Sequence, residues 1–429
     1  MGRVFAWARR TPYLAGLPRD VAVLSFVAFA VALGYGIAAP ALPVYARTFG
    51  VSAFLASAVI SGFALMRLLS ATPAGLMVDR FGERRIMSIG IWVVAGSSLL
   101  TALAQSFGQL LVLRGVGGIG SSMFTVSAMA LLLRTAGPEQ RGRASGAFQA
   151  GFLFGGVAGP AIGGLVTGIS IRAPFVVYGF TLIVAGLLAV RFLSREPGPG
   201  PEPGPEPAPA AAAPPAQGPP ARLGPALRSA AYRAALMVNL SSGFIVFGLR
   251  ISLVPLFVTE GLNRGVQLVG IGFLCAAAVQ AATLIPSGRR TDRAGRRGSL
   301  LIGTTTMAVA MLLLVVDTGP VGFLVSMAAS GLAAAFLAPA SAAVVGDMTR
   351  GRSGGRVVSA YQMVGDLGGI LGPLLAGALA DALGFHWAFG AGLAVAAVAL
   401  TMVLAMPETL RPTPPPSREV SRPGAGPGG

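Results

Sequence analysis

The sequence predicts an all-α membrane protein: twelve transmembrane helices in two six-helix pseudo-symmetric bundles, with both termini cytoplasmic. Three observations carry that expectation. The 429 residues are 54% hydrophobic and 11% charged, with a mean hydropathy of +0.74, which is not the composition of a water-soluble domain. Apolar runs near or above ~20 residues, each able to cross about 30 Å of hydrocarbon, recur along the whole chain. Finally, one offset of 213 residues lays Gly75-Leu76-Met77-Val78-Asp79-Arg80-Phe81-Gly82-Glu83-Arg84-Arg85 on Gly288-Arg289-Arg290-Thr291-Asp292-Arg293-Ala294-Gly295-Arg296-Arg297. It also carries Gly155-Gly156-Val157-Ala158-Gly159-Pro160 onto Gly368-Gly369-Ile370-Leu371-Gly372-Pro373, Arg143 onto Arg356 and Gln149 onto Gln362. Distant motifs sharing one offset mean a duplicated unit.

In chain order, 1–20 is a short basic tail and 21–193 the first bundle, with spans at 21–45, 54–77, 86–105, 109–134, 142–169 and 173–193. The stretch 194–232 turns to Pro, Gly, Ala and Glu, as in Pro197-Gly198-Pro199-Gly200-Pro201-Glu202-Pro203. It can bury little, and an extended cytoplasmic linker is expected. The second bundle, 233–406, places spans at 233–259, 267–288, 298–317, 319–347, 356–381 and 385–406, before a Pro-rich tail at 407–429. Membrane helices tolerate the internal glycines and prolines. A repeat of six spans keeps both halves in one orientation, related by an axis along the membrane normal.

The net charge is +17, and all 32 basic residues behind it are arginine. With alternate connections assigned to opposite sides, 26 of the 32 arginines fall on the side of both tails and only Arg47, Arg172 and Arg264 on the other. That asymmetry points the tails to the cytoplasm and argues against a nucleic-acid surface. Cys275 is the single cysteine, so no intrachain disulfide forms. His386 is the single histidine, at a helix end, and reads as interfacial. Arg9-Arg10 faintly resembles a twin-arginine signal, but no small-residue cleavage site follows and eleven further spans do. Neither a nucleophile–base pair, a metal cluster nor a phosphate loop is apparent, so no enzyme and no cofactor is expected. Gly115-x-Gly117-x-x-Gly120 has the letters of a dinucleotide fingerprint without the preceding strand that fingerprint needs.

Gly75-x-x-x-Asp79-Arg80-x-Gly82-x-Arg84-Arg85, between spans two and three, resembles the cytoplasmic loop signature of the major facilitator superfamily. Its second copy (Gly288, Asp292, Arg293, Gly295, Arg296) falls between spans eight and nine, where that family repeats it. The resemblance covers about 21–406 and implies a gating latch. Asp79 would meet the amino end of helix eleven near Gly355-Arg356, joining the halves when the cytoplasmic side is shut. Arg114-Gly115-Val116-Gly117-Gly118-Ile119-Gly120 resembles the family's fourth-helix motif, although Gly117 stands where glutamine is often seen. Gly155-x-x-x-Gly159-Pro160-x-x-Gly163-Gly164, repeated as Gly368, Gly372 and Pro373, is similar to the antiporter signature, whose glycines make a smooth helix face and whose proline bends it.

Two further intramembrane charges stand out. Arg67 lies roughly 18 Å from Asp79 along a helix and Asp366 roughly 15 Å from Arg356, at 1.5 Å per residue. Helices two and eleven adjoin in the implied fold, and an Arg67–Asp366 ion pair is expected. The repeat-related positions hold Gln280 and Leu153. The pairing also resembles that of vesicular monoamine transporters. A carboxylate held between burial and an arginine can be moved across neutral pH by a change of exposure, so this pair is expected to couple protons. The resemblance places the substrate cavity among helices one, four, seven and ten, hence Tyr35, Arg114, Asn239, Arg250 and Phe336, with Gln149 and Gln362 beside them. For Arg114 a structural and a cavity role both remain open. Unlike many multidrug antiporters of this type, the first span carries no acidic residue, which favours neutral, zwitterionic or anionic amphiphiles. The expectation is a monomeric, multi-pass drug–proton antiporter of the plasma (inner) membrane, its partners the lipid bilayer, a small-molecule substrate and protons, driven by the proton gradient. The alternatives are an uptake or facilitative carrier for an organic anion and a non-transporting receptor or scaffold.

Overall fold

The computed structural model describes residues 17–136, 140–193, 223–316, 319–349 and 355–410. The expectations for 194–222 of the linker and for 1–16 and 411–429 of the tails lie outside these. In the first half run α1 (Arg19–Arg47, broken at Ala39-Pro40), α2 (Ala53–Leu69, continuing as Ala71–Phe81), α3 (Glu83–Ala102), α4 (Phe107–Thr135), α5 (Arg141–Ile169) and α6 (Ala173–Phe192). The second half has α7 (Ala230–Gly261), α8 (Val266–Ala294), α9 (Arg296–Val315), α10 (Gly319–Thr349), α11 (Gly355–Leu383) and α12 (Phe385–Ala405). Among the described residues eleven helices are long and apolar enough to cross a membrane, and the bent α2 makes twelve.

Three local departures have physical causes. The span expected at 54–77 is bent by 45° between Leu69 and Ala71, because the Pro73 ring clashes with the carbonyl four residues earlier and offers no N–H. A short helix, Leu223–Arg228, stands inside the expected linker. Leu223 and Ala226 pack against the second half, enough apolar surface to order one turn. In α7, Phe244–Leu253 and Phe257–Gly261 widen to π turns around Pro255, which lacks the donor an α turn needs.

The packing repeats. In the first half α1 lies on α5 and α6, α3 on α4 and α6, and α2 on α4; in the second, α7 lies on α11 and α12, α9 on α10 and α12, and α8 on α10. The halves meet through α2 with α11 and through α5 with α8, pairs that a two-fold exchange converts into one another. Each half has its own apolar core. Positions Gly82 (φ 83°) and Gly295 (φ 108°), related by the repeat, both take the left-handed backbone that turns one helix into the next, which is why glycine stands at each.

The small-residue motifs set helix spacing. A Cβ on Gly159 would lie 2.6 Å from the Leu33 carbonyl oxygen, and one on Gly36 2.8 Å from Pro160 Cδ. Gly155 and Gly163 press on Phe29 and Ile37 in the same way. A Cβ on Gly372 would come 2.8 Å from the Phe244 carbonyl oxygen, and Gly368 also faces α7. Pro373 lies within α11. Gly164 instead touches Gly270 of the other half.

Candidate functional site

Between the halves, at mid-length of the helices, lies a cavity of about 350 Å³. Its aromatic wall is Tyr35 of α1, Phe63 of α2, Phe152 of α5, Tyr178 of α6 and Phe247 of α7. Tyr35 stacks at 5.3 Å from Phe63 and meets Tyr178 edge-on at 6.5 Å. Ser121, Ser122 and Thr125 of α4 add hydroxyls, of which Thr125 bonds back to the Ser121 carbonyl at 2.8 Å. Two opposite charges enter from opposite halves, Arg67 from α2 and Asp366 from α11. Both side chains are solvent-exposed.

The expected Arg67–Asp366 ion pair is not closed in this conformation. Ion pairs form elsewhere instead, Arg47–Glu260, Arg134–Glu83 and Arg296–Asp347 among them. The reason is where the halves touch. They are joined from the face opposite the arginine-rich one down to Ser61, whose hydroxyl donates to the Ile370 carbonyl at 2.7 Å. Below that contact α2 bends away, and Arg67 and Asp366 face each other across space, attracted through it.

Of the residues expected in the cavity, Tyr35 alone lines it. Arg114 is 1% exposed and stands behind the wall, its guanidinium 4.6 Å over the Phe63 ring. Asn239 donates from Nδ2 to the Tyr361 carbonyl at 2.7 Å, tying α7 to α11. Phe336, whose Cβ packs beside Gly303 of α9, does not line the cavity. Arg250 is half-buried in the widened part of α7 with its Nε lacking a hydrogen-bond partner. Gln149 and Gln362 are exposed away from the cavity. Helix identity alone does not say which face looks inward, and the cavity lies against the first half and the α2–α11 seam. Phe63, Phe152, Tyr178 and Phe247 gave no sequence signal distinct from ordinary apolar helix positions.

The shut face is held by polar contacts between halves. Arg47 donates from Nε and Nη2 to both Glu260 carboxylate oxygens at 2.7 and 2.8 Å. Asp381 at the end of α11 accepts from the backbone N–H groups of Ala53 and Phe54 at 2.9 and 2.8 Å, capping α2. Ser57 and Ser252 share a hydroxyl bond of 2.5 Å. Positions 47 and 260 differ by the repeat offset itself, so this ion pair crosses the dyad.

On the arginine-rich face Asp79 is exposed and makes no hydrogen bond or ion pair among the described residues, so the expected latch is unmade here. Gly75 is half-buried, Arg85 exposed, and Arg80 lies 5.4 Å over Phe81. Arg84 bonds the Val190 carbonyl at 2.6 Å. In the second copy Gly288 is half-buried while Asp292 and Arg293 are exposed. Arg296 is locked to Asp347 of α10 at 3.1 Å, and Arg297 bonds the Leu404 carbonyl at 2.7 Å. Glu408 closes over this corner, accepting from the N–H groups of Arg296 and Arg297 at 2.9 and 3.0 Å. The partners Glu83–Arg134 and Arg296–Asp347 occupy repeat-related positions with the charges exchanged.

The sequence profile described as Major Facilitator Superfamily matches residues 24–279 and 235–427. Quinolone resistance protein NorA of Staphylococcus aureus (strain MRSA252) is 28% identical over 172 residues, 40% of this chain and 44% of that protein. Multidrug resistance protein 2 of Bacillus subtilis (strain 168) is 27% identical over 171 residues, 40% of this chain and 42% of that one. The aligned stretch therefore spans less than half the length of these curated relatives. In fold, the chain resembles a bacterial homolog of the human lysosomal transporter Spinster in an inward-facing, unoccupied conformation, with a TM-score of 0.70 and 18% identity over 92% of this chain and 96% of that one. The nucleoside transporter NupG gives a TM-score of 0.64 at 12% identity, covering 90% and 99%.

Proposed function

Since the chain belongs to the Major Facilitator Superfamily, a family of multi-pass membrane transporters, we propose that it exports an amphiphilic small molecule in exchange for protons by alternating access across the plasma membrane. One observation supports this most: a central cavity, closed toward one face, in which a single carboxylate from one half stands opposite an arginine from the other. With the arginine-rich face in the cytoplasm, this is the conformation that loads from inside. Asp366 takes a proton from the outside in the opposite state. Losing its charge removes the attraction to Arg67, and the two halves rock about the cavity. The drug-resistance names of two relatives point to export of amphiphiles, and the aromatic wall suits such a ligand. The protein acts as a monomer, with no nucleic-acid partner.

The test is transport by reconstituted protein, with and without a pH gradient. Asp366→Asn should retain gradient-free exchange and lose most gradient-driven transport. Wild-type gradient-driven rates in that variant would end the proton role. A second reading, uptake of an organic anion, draws on Arg67, Arg114 and Arg250 outnumbering Asp366. Inverted vesicles separate the two: accumulation driven by acid inside supports export, and failure there with uptake by whole cells supports the alternative.

A further inference from the structure

Among the described residues Arg114 is the one whose whole guanidinium is buried without a hydrogen-bond partner. It is 1% exposed within α4, and none of its three side-chain nitrogens has a hydrogen-bond partner. No carboxylate among the described residues reaches it; the ionisable groups that act on it are the phenols of Tyr35 and Tyr178. What covers it is the Phe63 ring, at 4.6 Å. Phe63, Tyr35 and Tyr178 are all cavity wall, so one aromatic ring separates an uncompensated guanidinium from the central space. Such a charge is costly in a membrane unless something pairs with it.

The repeat shows that the scaffold does not require this arginine. At the equivalent position in the second half stands Met327, buried against Gly272, and in place of Phe63 stands Ala276. The helix crossing is otherwise alike: Gly118 packs on the Phe63 carbonyl as Gly331 packs on that of Ala276. One half thus builds this crossing from apolar side chains, while the half that carries the cavity wall inserts a cation and a lid.

We propose that Arg114 is the subsite for the anionic group of the transported molecule, with Phe63 as its shutter. Resting on the transport reading above, this narrows the ligand to an aromatic amphiphile bearing a carboxylate. A guanidinium offers a planar fork that takes both carboxylate oxygens. Rotation of Phe63 replaces the cation–π contact with that bidentate pair, and the ligand's ring takes its place against Tyr35 and Tyr178.

Equilibrium binding of 2-naphthoate and of its neutral amide, 2-naphthamide, to purified protein in detergent tests this without any gradient, so a failure of proton coupling leaves the result untouched. Wild type should prefer the carboxylate by about 10- to 100-fold, the worth of a charge-assisted bidentate bond. Arg114→Met, the residue that the other half already tolerates, should abolish the preference, carboxylate binding falling to the level of the amide. Arg114→Lys should keep part of it, and Phe63→Ala should strengthen carboxylate binding. Equal binding of the two probes by wild type, no binding of either, or a preference that survives Arg114→Met would overturn the proposal. So would a preference lost in Arg67→Gln and kept in Arg114→Met, since the anion would then sit on Arg67.

Discussion

Asp381→Ala should open the face that this structure holds shut. The carboxylate of Asp381 belongs to the second half, yet the N–H groups it caps, Ala53 and Phe54, begin α2 of the first. Outward opening must break both bonds. The helix itself does not depend on them, because Ser52 caps α2 locally by accepting from Leu55 N–H at 3.4 Å. Removing a cap of this kind costs about 0.5–2 kcal/mol, and the added attraction between Asp381 and Arg47 is screened at this exposed site. A loss of about 1–2 kcal/mol shifts the closed-to-open ratio by about 5- to 30-fold. Asp381→Asn, which retains one acceptor, should fall between. Spin labels at Thr48→Cys and Arg264→Cys, in a Cys275→Ser background, read the separation of the two halves on that face by electron double resonance. The long-distance population should grow in the order wild type, Asn, Ala. An unchanged distance distribution in Asp381→Ala would show that the cap is incidental to closure.

Two other perturbations follow from the same geometry. Arg47→Glu should loosen the same face by no more than about 1 kcal/mol, as expected of a half-exposed pair. Because the partners occupy dyad-related positions, Arg47→Glu with Glu260→Arg should restore part of the closed population, short of wild type because the Arg47 bond to the Val51 carbonyl and the attraction to Asp381 stay lost, which the same spin labels check. For Glu408, burial pushes the carboxyl up, but bonds from the N–H groups of Leu410, Arg296, Arg297 and Thr409 outweigh it and hold it below the usual range. Its contribution to stability is therefore complete above the unfolded value, about 4.3, and is lost as pH falls through the lower folded value. Thermal unfolding of wild type and Glu408→Gln should differ at pH 7 and converge on acidification below that range.

The fold was legible because hydrophobic length and a fixed repeat offset survive any local detail. Gly82 and Gly295 could be matched by letter because only glycine takes that backbone conformation cheaply. The cavity was harder to read. Arg67 and Asp366 stood out because a charge in an apolar run is conspicuous, whereas Phe63 and Tyr178 look like any lipid-facing or packed aromatic until neighbouring helices are in place. Asn239 and Phe336 sit on two of the right helices and face the wrong way. The bend in α2 had a visible cause in Pro73, but nothing in the sequence says how far apart the halves stand along the α2–α11 seam, where Arg67 and Asp366 share a cavity without pairing.

The charge-exchanged pairs show why comparing identical letters undercounts the duplication. Glu83–Arg134 and Arg296–Asp347 bind the same helix ends in the two halves, and a salt bridge is indifferent to which side supplies the cation. Searching the offset for complementary charges would have found this correspondence, and Arg47 against Glu260 as well. At these helix ends, then, the halves are equivalent in contacts even where they differ in residues. At the centre they are not: Arg67 faces Gln280 across the repeat, Asp366 faces Leu153, Arg114 faces Met327 and Phe63 faces Ala276. A symmetric frame permits two states of similar energy, and such a frame gains nothing from a lone buried cation or a lone mid-membrane acid. Departures from local consistency of that kind belong to function, and here they cluster around one cavity, with Arg67, Arg114 and Phe63 on the half that supplies most of its wall and Asp366 facing them from the other.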